Sequence, residues 1–521
     1  MRNFKSGRLC DNPHKIKFMR SVSLFFCWIG AVGVAAAMSG VQVPTLTPKA
    51  PASIPLVLAG GTVVDVRDWG HSAKDIPDAI VILRDGRITD VGSRMAVTIP
   101  KGARVIDCTG KYLIPGLVDG YAGMANQGQA NAFLFMGVTT VVAASDSRRG
   151  YVDFSAAPSP RVYLMDSIGT TDDWSLLIHH GGLRSGFRQG KGADWSTILR
   201  EGPRPAELSP EDTARQLADT AKLGTRVLKL GHDLTAVNTQ WIIARAHQMG
   251  LITYGEFVST PYTVGVEAGV DALPHMGHYE LGVIPDELQR PLVDDSEGAA
   301  ATTAYDYSQR LPPTDRHVRT YAQFLASHHA ALMPTFSTYF LQLPGHRNLW
   351  KEPASSLLDA AHLSPAPDHA TGELIYPLPS WSRHLPAMGQ RYVEEGLRKK
   401  ADQAAMRLWL INETMFTAYP HYLAASGSPV QGTMPGISMH TEMEMLVRLG
   451  LSPREALAAA TNNYALEFGW NELGQIAAGR RADILVVDGD PTVNIWNARN
   501  ISTILMDGNV VDRQGLLNPK R

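Results

Sequence analysis

Residues 225–257 decide the fold, and they read TRVLKLGHDLTAVNTQWIIARAHQMGLITYGEF. Residues 227–230 form a short apolar run of the buried-strand type. Residues 236–249 have the length and apolar spacing of a helix, which Gly250 ends. A second strand follows over residues 251–257. A strand, a helix and a strand in succession predict two parallel strands joined by a helical crossover.

The same alternation extends in both directions. Ser209, Pro210 and two acids open the preceding helix with an N-cap and a first-turn proline, and Ser452 with Glu455 forms a capping box late in the chain. Alternation over residues 113–470 predicts a parallel sheet covered by helices, best fitted by a (β/α)8 barrel. Three long insertions, near residues 166–208, 286–316 and 336–386, are expected at the rim of its pocket.

Both ends of this region are rich in strands. Gly60-Gly61, Asp85-Gly86 and Asp507-Gly508 interrupt alternating apolar runs, which is a strong hairpin signal. Residues 56–112 and 471–521 are therefore predicted to build one composite β domain. The predicted fold class is α/β, a (β/α)8 TIM barrel plus a small β-sandwich domain assembled from both termini.

The first 55 residues have the features of an export signal and a linker. Lys15, Lys17 and Arg20 precede an apolar run and small residues, which predicts a signal peptide over 1–40. The Pro-containing stretch 41–55 is interpreted as a linker. A periplasmic or secreted protein is expected, and an uncleaved membrane anchor is the alternative.

Composition restricts the partners. The 521-residue chain has a formal net charge of −2 and no basic stripe, so nucleic acid is not expected as a partner. After signal cleavage Cys108 is the only remaining cysteine, so the mature chain cannot form an intramolecular disulfide. A small-molecule substrate or ligand is expected, and a homo-oligomer or a paralogous subunit is left open.

Several segments resemble the amidohydrolase superfamily. They are GKYLIPGLVD at 110–119, GVTTV at 137–141, EAGVD at 267–271 followed by Pro274-His275, HTEMEML at 440–446, GLSPREAL at 450–457 and GQIAAGRRADIL at 474–485. The resemblance implies a barrel whose strand ends hold one or two divalent metals. It also implies a hydrolase acting on non-peptide carbon–nitrogen bonds, in amides or cyclic amides, or on esters.

Four of the six ligand positions that the resemblance implies carry other residues. The first strand ends in Asp119-Gly-Tyr121-Ala-Gly123 where the family has Asp-x-His-x-His. The fifth-strand histidine falls at or beside Gly255, and the eighth-strand aspartate falls near Gly427. A catalytic zinc generally needs three protein ligands and a water, so the usual two-metal mechanism is not expected.

The surviving positions are Lys229, matching the fourth-strand lysine, and His275, matching the sixth-strand histidine. Glu256 is a third metal-ligand candidate, although strand alternation turns it toward the helices if Gly255 faces the barrel axis. The alternatives to metal binding are an ion pair between Lys229 and Glu256, and a His275 that is hydrogen-bonded to its neighbours at the end of the strand. One weakly held divalent metal such as Zn²⁺ is expected, or none.

Further candidates lie outside this set. His232 and Asp233 follow the Lys229 strand and are the predicted acid/base pair. The predicted substrate pocket comprises Tyr121, Gly123, Gly255, Gly427, His179 and His180. Three functions fit the sequence: a hydrolase with an altered, metal-poor site, an inactive relative that binds a ligand, and an assembly partner of an active paralogue.

Overall fold

The computed structural model describes the chain in ten ranges. They are residues 54–144, 158–169, 208–231, 234–257, 260–285, 311–360, 363–367, 372–379, 395–430 and 432–518. The predicted signal peptide at 1–40 and most of the linker at 41–55 lie outside these ranges. Residues 53–521 form one compact unit.

Strands from the two ends of this unit share one sheet. They are β1 (Leu56–Val63), β2 (Ile76–Arg84), β3 (Arg87–Ser93), β4 (Arg104–Asp107), β5 (Lys111–Pro115), β15 (Ile484–Asp488), β16 (Ile501–Met506) and β17 (Asn509–Val510). Their order is β17-β16-β15-β5-β1-β2-β3, with β4 also paired to β1. The junction between the two ends is the antiparallel pairing of β15 with β5. The tight turn at Asp85-Gly86 uses two positive φ angles, as its hairpin requires.

The described residues also contain a parallel sheet of seven strands. They are β6 (Leu117–Ala122), β7 (Val138–Ala144), β8 (Arg161–Ile168), β9 (Val227–Leu230), β10 (Ile252–Gly255), β11 (Ala272–Pro274) and β12 (Ala331–Met333). They pair in chain order, so each neighbour is reached by one crossover. An antiparallel pair, β13 (Leu363–Pro367) with β14 (Leu374–Pro379), lies within the third predicted insertion.

Residues 421–428 occupy the eighth position and bring the sheet close to a barrel. On one side Leu423 N donates to Leu332 O at 2.9 Å. On the other side Gly427 N donates to Tyr121 O at 2.9 Å, and Gly123 N donates to Ser428 O at 2.6 Å. These bonds connect β12 to β6 through the eighth segment.

Helices cover the outside of this barrel. They are α1 (Gln127–Phe135), α2 (Pro210–Lys222), α3 (Ala236–Gln248), α4 (Tyr262–Glu267), α5 (Met276–Tyr279), α6 (Arg316–His328), α7 (Glu395–Phe416), α8 (Ile437–Leu449), α9 (Pro453–Ala459), α10 (Asn462–Phe468) and α11 (Arg513–Leu517). The predicted caps are present: Ser209 accepts from Asp212 N, and Ser452 with Glu455 forms the capping box. Each such cap stabilises its helix by about 1 kcal/mol.

The barrel interior is a separate packed cluster, and it sets the direction of the site residues. Val227, Tyr254, Ala272, Met333 and Ala425 all belong to it. Because side chains alternate along a strand, the residues two positions further on also face the barrel axis.

The predicted fold class, an α/β barrel of the TIM type with an additional β domain, is confirmed. The β domain was predicted to be a sandwich, whereas its described strands form one eight-stranded sheet. Within the described ranges, no helix combines the length and apolar character that spanning a bilayer requires.

Candidate active site

Four side chains meet at the carboxyl ends of the barrel strands. Glu256 is at their centre and is 3% exposed. Tyr121 donates its hydroxyl to Glu256 Oε1 at 2.5 Å, and Lys229 Nζ lies 3.4 Å from Glu256 Oε2. His275 Nε2 lies 3.5 Å from Glu256 Oε1. This cluster links the first, fourth, fifth and sixth strands, at the barrel end where active sites of this fold lie.

Glu256 faces the cluster because the phase of the fifth strand differs from the expected one. Tyr254 points into the barrel interior, so Glu256 does as well. Gly255 faces outward, where an added Cβ would lie 2.5 Å from Cε2 of the buried Phe257 ring. The expectations that Glu256 faces the helices and that Gly255 lines the pocket are therefore wrong. The sequence alone did not show which residues of the fifth strand face the barrel axis.

Lys229 forms the ion pair that was one of its two expected roles. Its side chain is 15% exposed and that of Glu256 is 4% exposed, so both charges are largely removed from water. A charge in such a place is stable only when it is paired and hydrogen-bonded. The opposite charges of Lys229 and Glu256 therefore offset each other at the mouth of the barrel.

His275 is held from two directions. Its Nδ1 lies 2.9 Å from the hydroxyl of Thr335, and its ring packs edge-on against Tyr121 at a centroid distance of 4.6 Å. Its backbone has a φ of 64°, in the left-handed region that non-glycine residues seldom adopt. Burial and the adjacent Glu256 carboxylate raise the pKa of Tyr121 well above its ordinary value, so its phenol stays protonated and remains a donor.

Neighbouring groups confine the two glycines expected in the pocket. A Cβ at Gly123 would lie 3.2 Å from Pro429 Cδ. Gly427 has a φ of 63°, and a Cβ there would lie 3.0 Å from Thr338 Cγ2 and 3.4 Å from Thr335 Cβ. Both positions are at the strand ends beside the cluster, but a longer side chain at either would have to displace these contacts.

Two buried carboxyls, those of Asp119 and Glu442, accept hydrogen bonds from backbone N–H groups. Asp119 Oδ1 accepts from Ser426 N at 2.9 Å, and Glu442 Oε2 accepts from Ser337 N at 2.7 Å. Burial raises the pKa of Asp119 to about 6 and that of Glu442 to about 8. Both carboxyls therefore favour their neutral forms more than exposed acids do.

The remaining predicted site residues cannot be placed. His179 and His180, expected in the pocket, lie outside the described residues. The same is true of His232 and Asp233, the predicted acid/base pair. Thr335, which contacts His275, was missed because nothing in the sequence marks it. Its position two residues after Met333 becomes informative only once the structure shows that Met333 packs in the barrel interior.

The family model of the amidohydrolase family matches residues 421–511, from the eighth segment into the β domain. The solved structure of a bottromycin amidohydrolase superposes with a TM-score of 0.57 at 16% identity, covering 88% of this chain and 87% of that one. Residues 421–511 are therefore similar to the amidohydrolase family, and the whole described chain shares the fold of a solved amidohydrolase. Because the proteins that this segment resembles mostly depend on metals, the similarity favours a divalent metal in general terms.

Curated relatives match this chain over short stretches. Adenine deaminase 2 of Agrobacterium fabrum is 44% identical over 68 residues, 13% of this chain and 11% of that protein. Imidazolonepropionase of Geobacillus sp. is 26% identical over 144 residues, 24% of this chain and 34% of that protein. The matched stretches thus span 11% and 34% of the length of these two relatives.

Proposed function

We propose that this protein is a hydrolase of carbon–nitrogen bonds in small molecules, amides or cyclic amides, or of esters, and that it works without a binuclear metal centre. The convergence of Tyr121, Lys229, Glu256 and His275 on one point of the barrel mouth carries the proposal. The names of the relatives, an adenine deaminase and an imidazolonepropionase, support the bond class.

The ligand set is the reason for proposing an altered site. Among the described residues no three His, Cys, Asp or Glu side chains are grouped so that they could hold an ion. Glu256 and His275 provide two ligands, one fewer than a catalytic zinc generally has. The Lys229 ammonium is directed at Glu256, and the Tyr121 phenol is a poor ligand while protonated. We propose at most one weakly held divalent ion, on Glu256 and His275.

The cluster can supply general acid–base chemistry by itself. In the proposed reaction His275 Nε2 removes a proton from a water molecule, whose oxygen attacks the substrate carbonyl carbon. The carboxylate of Glu256 stabilises the resulting imidazolium, and the Lys229 ammonium stabilises the developing oxyanion. The imidazolium then protonates the leaving nitrogen or oxygen as its bond to carbon breaks. The products are a carboxylic acid and an amine or alcohol.

The decisive experiment measures metal content and activity together. The mature protein is dialysed, and Zn, Mn, Fe and Ni are counted per chain. Amide, cyclic amide and ester panels are then assayed with and without a chelator. Activity that survives chelation in protein with no more than one weakly bound ion supports the proposal. Two tightly bound ions whose removal abolishes activity would restore the two-metal mechanism, and a protein inactive on every panel would favour a ligand-binding role.

A matched pair of variants identifies the base. His275→Gln removes the basic nitrogen from the cluster and is expected to lower kcat by about a hundredfold or more. The control is His247→Gln, because His247 Nε2 pairs with Asp271 Oδ2 at 2.9 Å. Equal losses in the two variants would indicate damage to the fold instead of loss of a catalytic group.

We further propose that the protein is exported. The basic residues and apolar run within 1–40 support this proposal. N-terminal mass spectrometry of protein from a periplasmic or culture-medium fraction tests it. Recovery of the uncleaved chain from membranes would favour the anchor.

A further inference from the structure

The hydroxyl group of Thr335 contacts two polar atoms but has only one hydrogen atom to donate. Thr335 Oγ1 lies 2.8 Å from Pro334 O and 2.9 Å from His275 Nδ1. A carbonyl oxygen can only accept, whereas an imidazole nitrogen either donates or accepts according to its tautomer. If the hydroxyl hydrogen is given to Pro334 O, both contacts are satisfied only when His275 Nδ1 carries a proton and donates it.

We propose that Thr335 is a positioning residue that fixes neutral His275 in its Nδ1–H tautomer, which leaves Nε2 as the basic nitrogen facing Glu256. The inference deepens the proposed function, because that function needs an unprotonated Nε2 to accept a proton from water. A histidine whose other nitrogen is held by a hydrogen bond keeps one tautomer and one ring orientation.

The distance on the other side of the ring agrees with this assignment. His275 Nε2 is 3.5 Å from Glu256 Oε1, beyond the 2.7–3.2 Å usual for an N–H···O hydrogen bond. The same oxygen already accepts the Tyr121 hydroxyl at 2.5 Å. An Nε2–H tautomer would be expected to draw the ring closer to the carboxylate.

The backbone at both residues is held in an unfavourable conformation. Thr335 has a φ of 49° and His275 a φ of 64°, and a β-branched residue at positive φ is uncommon. Strain of this kind persists only where surrounding contacts impose it. His275 N donates to Met333 O at 2.8 Å, and Thr338 N donates to Thr335 O at 3.0 Å. These bonds hold the backbone of the two residues whose side chains meet at His275 Nδ1 and Thr335 Oγ1.

Nitrogen-15 NMR of the whole protein tests the tautomer directly. The sample is labelled at histidine, and the His275 signal is assigned by its loss in His275→Gln. Spectra are recorded above the ordinary histidine pKa of about 6.5. We expect the Nδ1–H pattern in the wild type and in Thr335→Ser, and a shift toward Nε2–H in Thr335→Val. A wild-type ring that is mainly Nε2–H overturns the proposal, even if the valine variant fails to fold.

Kinetics test the consequence for catalysis. Thr335→Val is expected to lower kcat by roughly a hundredfold with KM little changed, and Thr335→Ser is expected to restore most of the loss. The control is Thr338→Val, since the Thr338 hydroxyl donates to Thr335 O at 2.8 Å and not to the imidazole. Equal losses in both valine variants would overturn the positioning role. If the wild type is inactive, the proposed function fails, while the NMR result still decides the tautomer.

Discussion

The hydroxyl of Tyr121 lies 2.5 Å from Oε1 of Glu256, so the first barrel strand donates a hydrogen bond to the end of the fifth. By resemblance, position 121 is one of the two first-strand imidazole positions. The Tyr121 phenol donates a hydrogen bond at a position where the metal-dependent pattern has a histidine that binds a metal. The acidic side chain that receives the bond also contacts Lys229 and lies near His275. Within the cluster the Lys229 ammonium therefore offsets the charge of the Glu256 carboxylate, whereas the charge of a set of metal ligands is offset by the metal.

The first prediction removes this donor. Tyr121→Phe is expected to lower kcat/KM roughly tenfold to a hundredfold, because a hydrogen bond to a charged group is worth about 1.5–3 kcal/mol. The matched control is Tyr254→Phe, whose hydroxyl donates to Gly120 O at 3.2 Å. Steady-state kinetics on the substrate found in the assay panels measures both variants. If the two lose equally, the phenol has no special role.

The second prediction concerns the Lys229–Glu256 pair. Lys229→Met and Glu256→Gln should each destabilise the fold by about 3–5 kcal/mol, because each leaves the partner charge buried without compensation. The double variant should be more stable than the sum of the single losses predicts, by about 1–3 kcal/mol. Denaturant unfolding of all four proteins gives this coupling energy.

An exposed ion pair provides the comparison for the double-mutant cycle of Lys229 and Glu256. Lys222 and Asp219 contact each other at 3.0 Å on the surface of α2, with side chains 75% and 60% exposed. The coupling energy of such a pair is expected to be about 0.5 kcal/mol or less. A Lys229–Glu256 coupling no larger than that of the surface pair would show that the buried contact does not stabilise the barrel.

The strand-end positions show how far sequence reasoning reached. Lys229 and His275 could be placed from motif matches, and the structure brings both to the cluster. Glu256 could not be oriented, because strand alternation gives relative directions and needs one residue of known direction to set the phase. Tyr254 sets that phase in the folded protein by packing in the barrel interior. No local pattern distinguishes its side chain from an outward-facing one.

Contacts between distant segments were the other limit. Thr335 touches His275 across 60 positions of sequence, and Glu442 meets Ser337 across 105. Strands and helices follow from periods of 2 and 3.6 residues, which lie within a short window. A side-chain contact across the barrel mouth depends on how whole strands are placed. The fold and the Lys229–Glu256 pair could therefore be anticipated from the motifs, whereas the contacts of Thr335 and Glu442 could not.

The third prediction tests the packing at the fifth strand. Gly255→Ala would place a Cβ 2.5 Å from Phe257 Cε2 and is expected to cost about 1–3 kcal/mol of unfolding free energy. Gly396→Ala is the control, because no atom lies within 4 Å of a Cβ there and alanine favours the helix. Thermal or denaturant unfolding compares the variants. A Gly255→Ala protein as stable as the control would mean that Phe257 does not confine this position.

Glu442 makes the stability of the fold depend on pH in a definite direction. Burial raises its pKa from 4.5 to about 8, because its charged form loses contact with water. Below about pH 4.5 the carboxyl is protonated in both the folded and unfolded states. Between 4.5 and 8 the unfolded chain ionises more readily, so stability falls as pH rises. Asp119, with a pKa raised to about 6, acts in the same direction but only up to about pH 6.

The fourth prediction isolates this carboxyl. Glu442→Gln keeps an oxygen that can accept from Ser337 N and removes the ionisation, so the variant should lose less stability than the wild type between pH 6 and pH 8. The expected difference in slope is on the order of 1 kcal/mol per pH unit. Glu267→Gln, at an exposed helix end, is the control and should follow the wild-type slope. Urea unfolding at several pH values measures each slope. Parallel curves for Glu442→Gln and the wild type would contradict the prediction, because they would show that folding does not raise the pKa of Glu442.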